Sequence, residues 1–100
     1  MIIKHNHQDN KGAFVVEVDG NILAEMIYYR PFENKMVIEH TEVSEELKGQ
    51  NIGFQLVQAA VDYARHHHIK ITPLCPFAYS VFKKKPDFQD VLEQNLNSDI

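Results

Sequence analysis

The only cysteine of the chain, Cys75, stands between a β-forming run and a proline, in Pro73-Leu74-Cys75-Pro76-Phe77. A residue at the carboxyl end of a strand lies where the ligand crevices of α/β folds open. A helix amino terminus favours a thiolate, so Cys75 is a candidate nucleophile. The alternative is a small buried residue, the usual fate of a free cysteine. The second chemically suggestive stretch is residues 40–53, HTEVSEELKGQNIG, which joins an apolar-alternating segment to a long amphipathic pattern through a glycine-containing turn. The first N–H groups of a helix lack intrahelical partners and, with the macrodipole, form an anion site. Such a turn holds a phosphate or pyrophosphate, or it is an ordinary strand-to-helix connection. His40 is a candidate general base, since an imidazole exchanges protons near neutrality. It reads equally as a half-buried strand histidine bonded to a neighbour, with Glu39 and Glu42 as substitutes in the base role.

Other polar clusters carry less chemistry. His66-His67-His68 are consecutive, and consecutive helix positions are about 100° apart, so their rings do not converge on a metal. His5 and His7 share a side of a possible strand without further ligands. No metal site is expected. Lys83-Lys84-Lys85 closes a predicted helix, where positive charge suits the carbonyl end. Contact with a ligand phosphate is its alternative use.

Elements that would position these groups follow from periodicity. Residues 2–5 read as a short first strand. Ala13–Val18 and Ile22–Tyr29 flank Asp19-Gly20, a favoured pair for a tight hairpin turn, and Pro31 stops the second strand. Lys35–Val43 reads as a further strand. Strict alternation puts Val37, Glu39, Thr41 and Val43 on one face and Met36, Ile38, His40 and Glu42 on the other. Ser44, Glu45 and Glu46 start a short turn. A helix from Asn51 or Ile52 to about His67 buries Ile52, Leu56, Ala59 or Ala60 and Tyr63, with Val57, Val61 and Ala64 beside them. Ile69–Leu74 is a short buried strand, reached through that helix and therefore parallel to residues 35–43. Pro76 opens a second helix to about Lys84, Pro86 ends it, and the last few residues are expected to fray. Phe77, Tyr79, Phe82 and Phe88 are expected in the core, with one of them available to border a nucleobase. The fold class is α/β with a mixed sheet: an antiparallel β-meander followed by a βαβα unit.

Composition bounds the function. One hundred residues suit a single small domain, and 44% hydrophobic residues suit a globular one. A net charge of −4 argues against a nucleic-acid partner. No apolar run approaches the roughly 20 residues of a membrane span, and residues 1–10 lack the organisation of a signal peptide. A lone cysteine fits a reducing compartment, and the cytoplasm is the expected location.

The turn and the cysteine segment together resemble the GNAT N-acetyltransferase superfamily, which binds acetyl-coenzyme A. Its signature, Arg/Gln-x-x-Gly-x-Gly/Ala, matches Lys48-Gly49-Gln50-Asn51-Ile52-Gly53, with Lys48 in place of Arg or Gln and Asn51 in place of the first Gly. Asn tolerates positive φ, and Lys keeps the charge without the planar fork. The chain is similar to the compact YjdJ-type branch through His40-Thr41-Glu42-Val43 and Pro73-Leu74-Cys75-Pro76-Phe77, over about residues 12 to 90. The resemblance implies a minimal GNAT-like fold stripped of its first helices and last strands. It further implies that backbone N–H groups of Gln50, Asn51, Ile52, Gly53 and Phe54, with Gly49 in the same cofactor-binding turn and Lys48 nearby, hold the coenzyme's pyrophosphate. The backbones of Thr41 and Val43 would pair with pantetheine, His40 would act as base, and Cys75 would be the acyl carrier. Acetyl-coenzyme A is then the cosubstrate, and an amine on a small molecule or protein is the acceptor. Lacking a wall for that acceptor, the chain reads alternatively as a coenzyme A-binding interaction module. A protein- or RNA-binding domain built on the lysines is a third reading. Oligomeric state, a homodimer included, stays open.

Overall fold

Two tight turns fold the first half of the chain into a meander. The computed structural model describes residues 2–93. Asp19 (φ 51°) and Gly20 (φ 83°) both take positive φ, which matches the twist of the strands they join. They link β2 (Lys11–Val18) to β3 (Asn21–Tyr29). Asp9 (φ 57°) begins a second two-residue turn, joining β1 (Ile3–Gln8) to β2 with Gln8 opposite Lys11. The expected first strand therefore extends three residues past His5, because an Asp-Asn turn without glycine carries a weaker signal than Asp-Gly.

β4 (Lys35–Val43) pairs antiparallel with β3, and β5 (Lys70–Pro73) pairs parallel with β4. The result is a five-stranded mixed sheet in chain order. The connection from β4 to β5 is α1 (Ile52–His67), which buries Ile52, Leu56, Val57, Ala60, Val61 and Ala64. His68 (φ 58°) takes the left-handed conformation that ends a helix, and Ile69 N–H closes onto Ala64 C=O at 2.8 Å. α2 (Pro76–Lys84) begins at the expected proline, whose missing N–H costs nothing there.

Past Pro86 the chain continues into regular structure, and the fraying expected of the last few residues falls outside the described part. It forms a 3-10 turn, Pro86–Val91, and Leu92 then bridges Ile71, with Glu93 N–H bonded to Ile71 C=O at 2.8 Å. Phe88, Val91 and Leu92 are buried, and burial holds the segment where sequence periodicity was too short to register. Residues 94–100 lie outside the described part.

One core joins Phe14, Met26, Tyr28, Met36 and Ile38 of the sheet to Leu56, Val57 and Phe82 of the two helices. Among the described residues neither helix covers the other face, which carries Val15, Ile27 and Val37. Phe82 and Phe88 are buried as expected, whereas Phe77 and Tyr79 are exposed. Among the described residues no helix is long and apolar enough to cross a membrane.

β4 departs from strict alternation. Ile27 faces His40, but the next residue, Tyr28, faces Ile38, leaving Glu39 as an extra residue. This β-bulge reverses the phase of the strand. Met36 and Ile38 therefore share the helix-covered face with Thr41 and Val43, opposite Tyr28, Met26 and Ala24. His40 and Glu42 lie on the open face, opposite Ile27 and Glu25. The expected grouping of Met36 and Ile38 with His40 and Glu42 is thus corrected.

Candidate active site

Pairing between β4 and β5 begins at Lys35 with Lys70 and stops at Ile38 with Pro73. There the N–H groups of Leu74 and Cys75 both donate to Ile38 C=O, at 2.9 and 3.1 Å. Two donors on one carbonyl turn the chain away from the sheet, and α2 starts one residue later. Residues 39–43 are consequently left without a strand partner on the β5 side among the described residues. The two strands open into a V whose free edge can pair with an extended amide chain.

Cys75 lies at the apex of this V. It is the residue before α2, its side chain is buried, and its thiol donates to Thr41 Oγ1 at 3.3 Å. Thr41 comes from the opposite wall, on the face to which the bulge delivers it. The side chain of Thr41 was not anticipated, since only its backbone was expected to matter. Its proximity depends on a strand register that the sequence does not display.

His40 occupies a different place. Its side chain is 56% exposed on the open face, with Nε2 3.8 Å from Glu42 Oε1. β4 itself separates it from Cys75, so the two candidate catalytic groups stand on opposite sides of one strand. Val43 is half-buried at the end of that strand.

The turn follows directly. Ser44 accepts a bond from Glu46 N–H and caps a 3-10 turn, Glu45–Leu47. Gly49 (φ 85°) and Asn51 (φ 61°) take positive φ, so Asn51 does what the signature's glycine would do. The Asn51 side chain makes no capping bond, and the first helical bond runs from Gln55 N–H to Asn51 C=O. The N–H groups of Ile52, Gly53 and Phe54 are left as the orphan donors of α1. Gln50 C=O is occupied by Gln55 Nε2 at 3.3 Å. Lys48 is 2.7 Å from Glu45, and its hydrogen bond, then its charge, hold that carboxyl below the usual range. Gly53 has a structural reason to be glycine as well: a Cβ there would stand 2.5 Å from Cζ of Phe77 on α2.

Across residues 13–91 the chain matches the sequence model of the GCN5-related N-acetyltransferases. It belongs to that family. The GNAT chain is similar to a GCN5-like candidate N-acetyltransferase of Staphylococcus aureus, with 36% identity and a TM-score of 0.68 over 90% of this chain and 87% of the other. The ribosomal-protein-alanine N-acetyltransferase of Brucella melitensis shares the fold at 20% identity and a TM-score of 0.65, over 77% of this chain and 62% of its own. A candidate streptothricin acetyltransferase of Bacillus anthracis, solved with acetyl coenzyme A, shares it at 16% identity and a TM-score of 0.54, over 66% of this chain and 39% of its own. This GNAT chain thus spans less than two thirds of the Brucella protein and about two fifths of the Bacillus one. A search of curated proteins finds no match.

Among the described residues no group of three or more His, Cys, Asp or Glu side chains is placed to hold a metal ion.

Proposed function

We propose that this GNAT domain transfers an acetyl group from acetyl-coenzyme A to an amine, with Cys75 as the intermediate carrier. The observation that carries the reading is the V between β4 and β5, with a thiol at its apex and an uncapped helix amino terminus beside it. The free edge of residues 39–43 offers amide partners to pantetheine. The orphan N–H groups of Ile52, Gly53 and Phe54, with Gly49, Gln50 and Asn51 shaping the turn, suit its pyrophosphate. The cosubstrate supplies an activated thioester. The sulfur of Cys75 attacks that carbonyl, and the coenzyme leaves as free thiol when the new thioester forms. The neutral acceptor amine then attacks the acetyl on Cys75, which regains its thiol. His40, on the open face, suits deprotonation of an ammonium arriving from that side. Lys48 lends its charge to the turn when Glu45 releases it.

Thermal-shift titration tests the reading, using acetyl-coenzyme A, coenzyme A and adenosine diphosphate. Ligand at about a hundred times its dissociation constant adds roughly 2.7 kcal/mol, a shift of many degrees in a domain of this size. Stabilisation by both coenzyme forms, followed by amine-dependent release of coenzyme thiol, supports it. Absence of any shift at millimolar ligand refutes it, and binding without turnover would leave a coenzyme-binding module.

A further inference from the structure

The sheet face turned away from the helices carries its charge in two separate ends. Register places Lys11, Lys35 and Lys70 together at one end. Glu17, Glu25 and Glu42 share the other, on the adjacent strands β2, β3 and β4. Ala13, Val15, Ile27 and Val37 form an apolar strip between them. We propose that this face is an interface for a second copy of the chain, packed sheet on sheet with its strands reversed. It forms without coenzyme.

Pairing within the chain sharpens the contrast between the two ends. Lys4 neutralises Glu17, and Glu93 neutralises Lys35. Among the described residues Lys11 and Lys70 have no carboxylate partner, and Lys70 reaches only the backbone carbonyl of Asp90. At the other end Glu25 has no cation partner among those residues, and Glu42 has only His40, at 3.8 Å. Two cations thus stand apart from two anions on one surface, which complements itself. A two-fold interface presents the same patch from both copies, so self-complementarity is what it requires. Sheets can meet face to face about either of two axes. An axis along the strands would set like charge on like charge. An axis across them reverses the second copy and sets each acidic end on a lysine end. Sheets packed face to face keep their strands within about 30° of alignment, which this rotation permits. A foreign partner of one charge sign would be repelled at one end, whereas a second copy is attracted at both. Ile22, opposite Glu17 and 53% exposed, and the half-buried Ile27 add apolar area that one chain leaves in water. The second copy also supplies the wall beside His40 that one chain lacks.

Sedimentation velocity of the wild-type chain, from about 5 to about 500 µM, tests this interface. The wild type should pass from monomer to dimer across that range, and added salt should weaken the association. Glu25→Lys with Glu42→Lys makes the face predominantly basic, and Lys11→Glu with Lys70→Glu makes it predominantly acidic. Each double variant alone should raise the dissociation constant about tenfold or more, because like charges then meet. An equimolar mixture of the two should form a heterodimer at least as tight as the wild-type dimer. Lys83→Glu with Lys84→Glu puts the same charge change on α2 and should leave association within about threefold of wild type. Urea unfolding checks each variant. The single exposed changes Glu42→Lys and Lys70→Glu repeat the exchange if a double variant fails to fold. A wild-type chain that stays monomeric at about 500 µM overturns the interface. So does a dimer that both double variants form as readily as the wild type, or two monomeric variants that fail to combine.

Discussion

The 3.3 Å contact between the Cys75 thiol and Thr41 Oγ1 fastens the two walls of the V where they part. A hydrogen bond of this kind contributes about 1 kcal/mol, roughly fivefold in a rate that depends on sulfur orientation. Incubation with acetyl-coenzyme A should add one hydroxylamine-labile acetyl mass to the wild type and none to Cys75→Ala. Thr41→Val should load acetyl about fivefold more slowly, and Thr41→Ser should restore the rate. Normal amine acetylation by Cys75→Ala would instead mean direct transfer from the coenzyme. Gly53 presents a different problem, because its missing Cβ serves both the Phe77 ring and the proposed phosphate site. For Gly53→Val the Phe77 contact predicts strain of about 1–3 kcal/mol, moderated because the ring is 41% exposed and can swing. Adding Phe77→Ala should return the urea midpoint toward that of Phe77→Ala alone, while coenzyme affinity stays low. Recovery of affinity together with stability would assign Gly53 to packing only.

At the scale of elements, the decisive feature is the extra residue in β4. Lys35–Val43 is recognisable as a strand from its composition, and its bounds agree with expectation. α1 and α2 are equally legible, because Leu56, Ala60 and Ala64 repeat at helical spacing and Pro76 and Pro86 punctuate the second helix. The bulge is not legible. Met-Val-Ile-Glu-His-Thr-Glu-Val contains no glycine to mark it, and its phase is set by what β3 places opposite. That register brings Thr41 to Cys75 and turns His40 outward, so the site's internal geometry was hidden although its residue list could be written. Deleting Glu39 tests the point. Removal of the extra residue would leave a regular strand in which Ile38 still faces Tyr28 and His40 still faces Ile27, so Thr41 and Val43 stay on the helix-covered face. The deletion is therefore expected to cost no more than about 1–2 kcal/mol, and Glu39→Ala, an exposed change, should stay within about 0.5 kcal/mol. A deletion variant that loses roughly 3 kcal/mol or more, the cost of burying two polar side chains, would show that Glu39 is not the residue that sets the phase.

Across the whole molecule, the sheet's first edge is fastened to the core by an aromatic cluster remote from the V. His5 stacks on Phe14 at 4.1 Å, meets Tyr63 of α1 edge-on at 4.5 Å, and lies 2.6 Å from the Tyr28 hydroxyl. Gly12 leaves the space that the buried Tyr28 ring fills. Burial, followed by the charges of His7, His67 and Arg30, lowers the His5 pKa from 6.5 to about 4. Above pH 6.5 the ring is neutral in folded and unfolded chains alike, and its contribution to stability is fully present. Between pH 6.5 and about 4 the unfolded chain binds a proton that the folded one resists, so stability falls as pH falls. The displacement corresponds to roughly 3 kcal/mol at full strength, and partial solvent screening reduces the expected loss to on the order of 1–2 kcal/mol. Tyr28, pushed up to about 12 chiefly by burial, does not titrate in this window. The bond that His5→Phe removes is therefore a constant offset, and the pH-dependent part can be read by difference. Between about pH 7.5 and about pH 4.5, wild type should lose roughly 5–10 °C more in Tm than His5→Phe. Parallel losses in the two proteins would place the acid sensitivity elsewhere and leave β1 attached by packing alone.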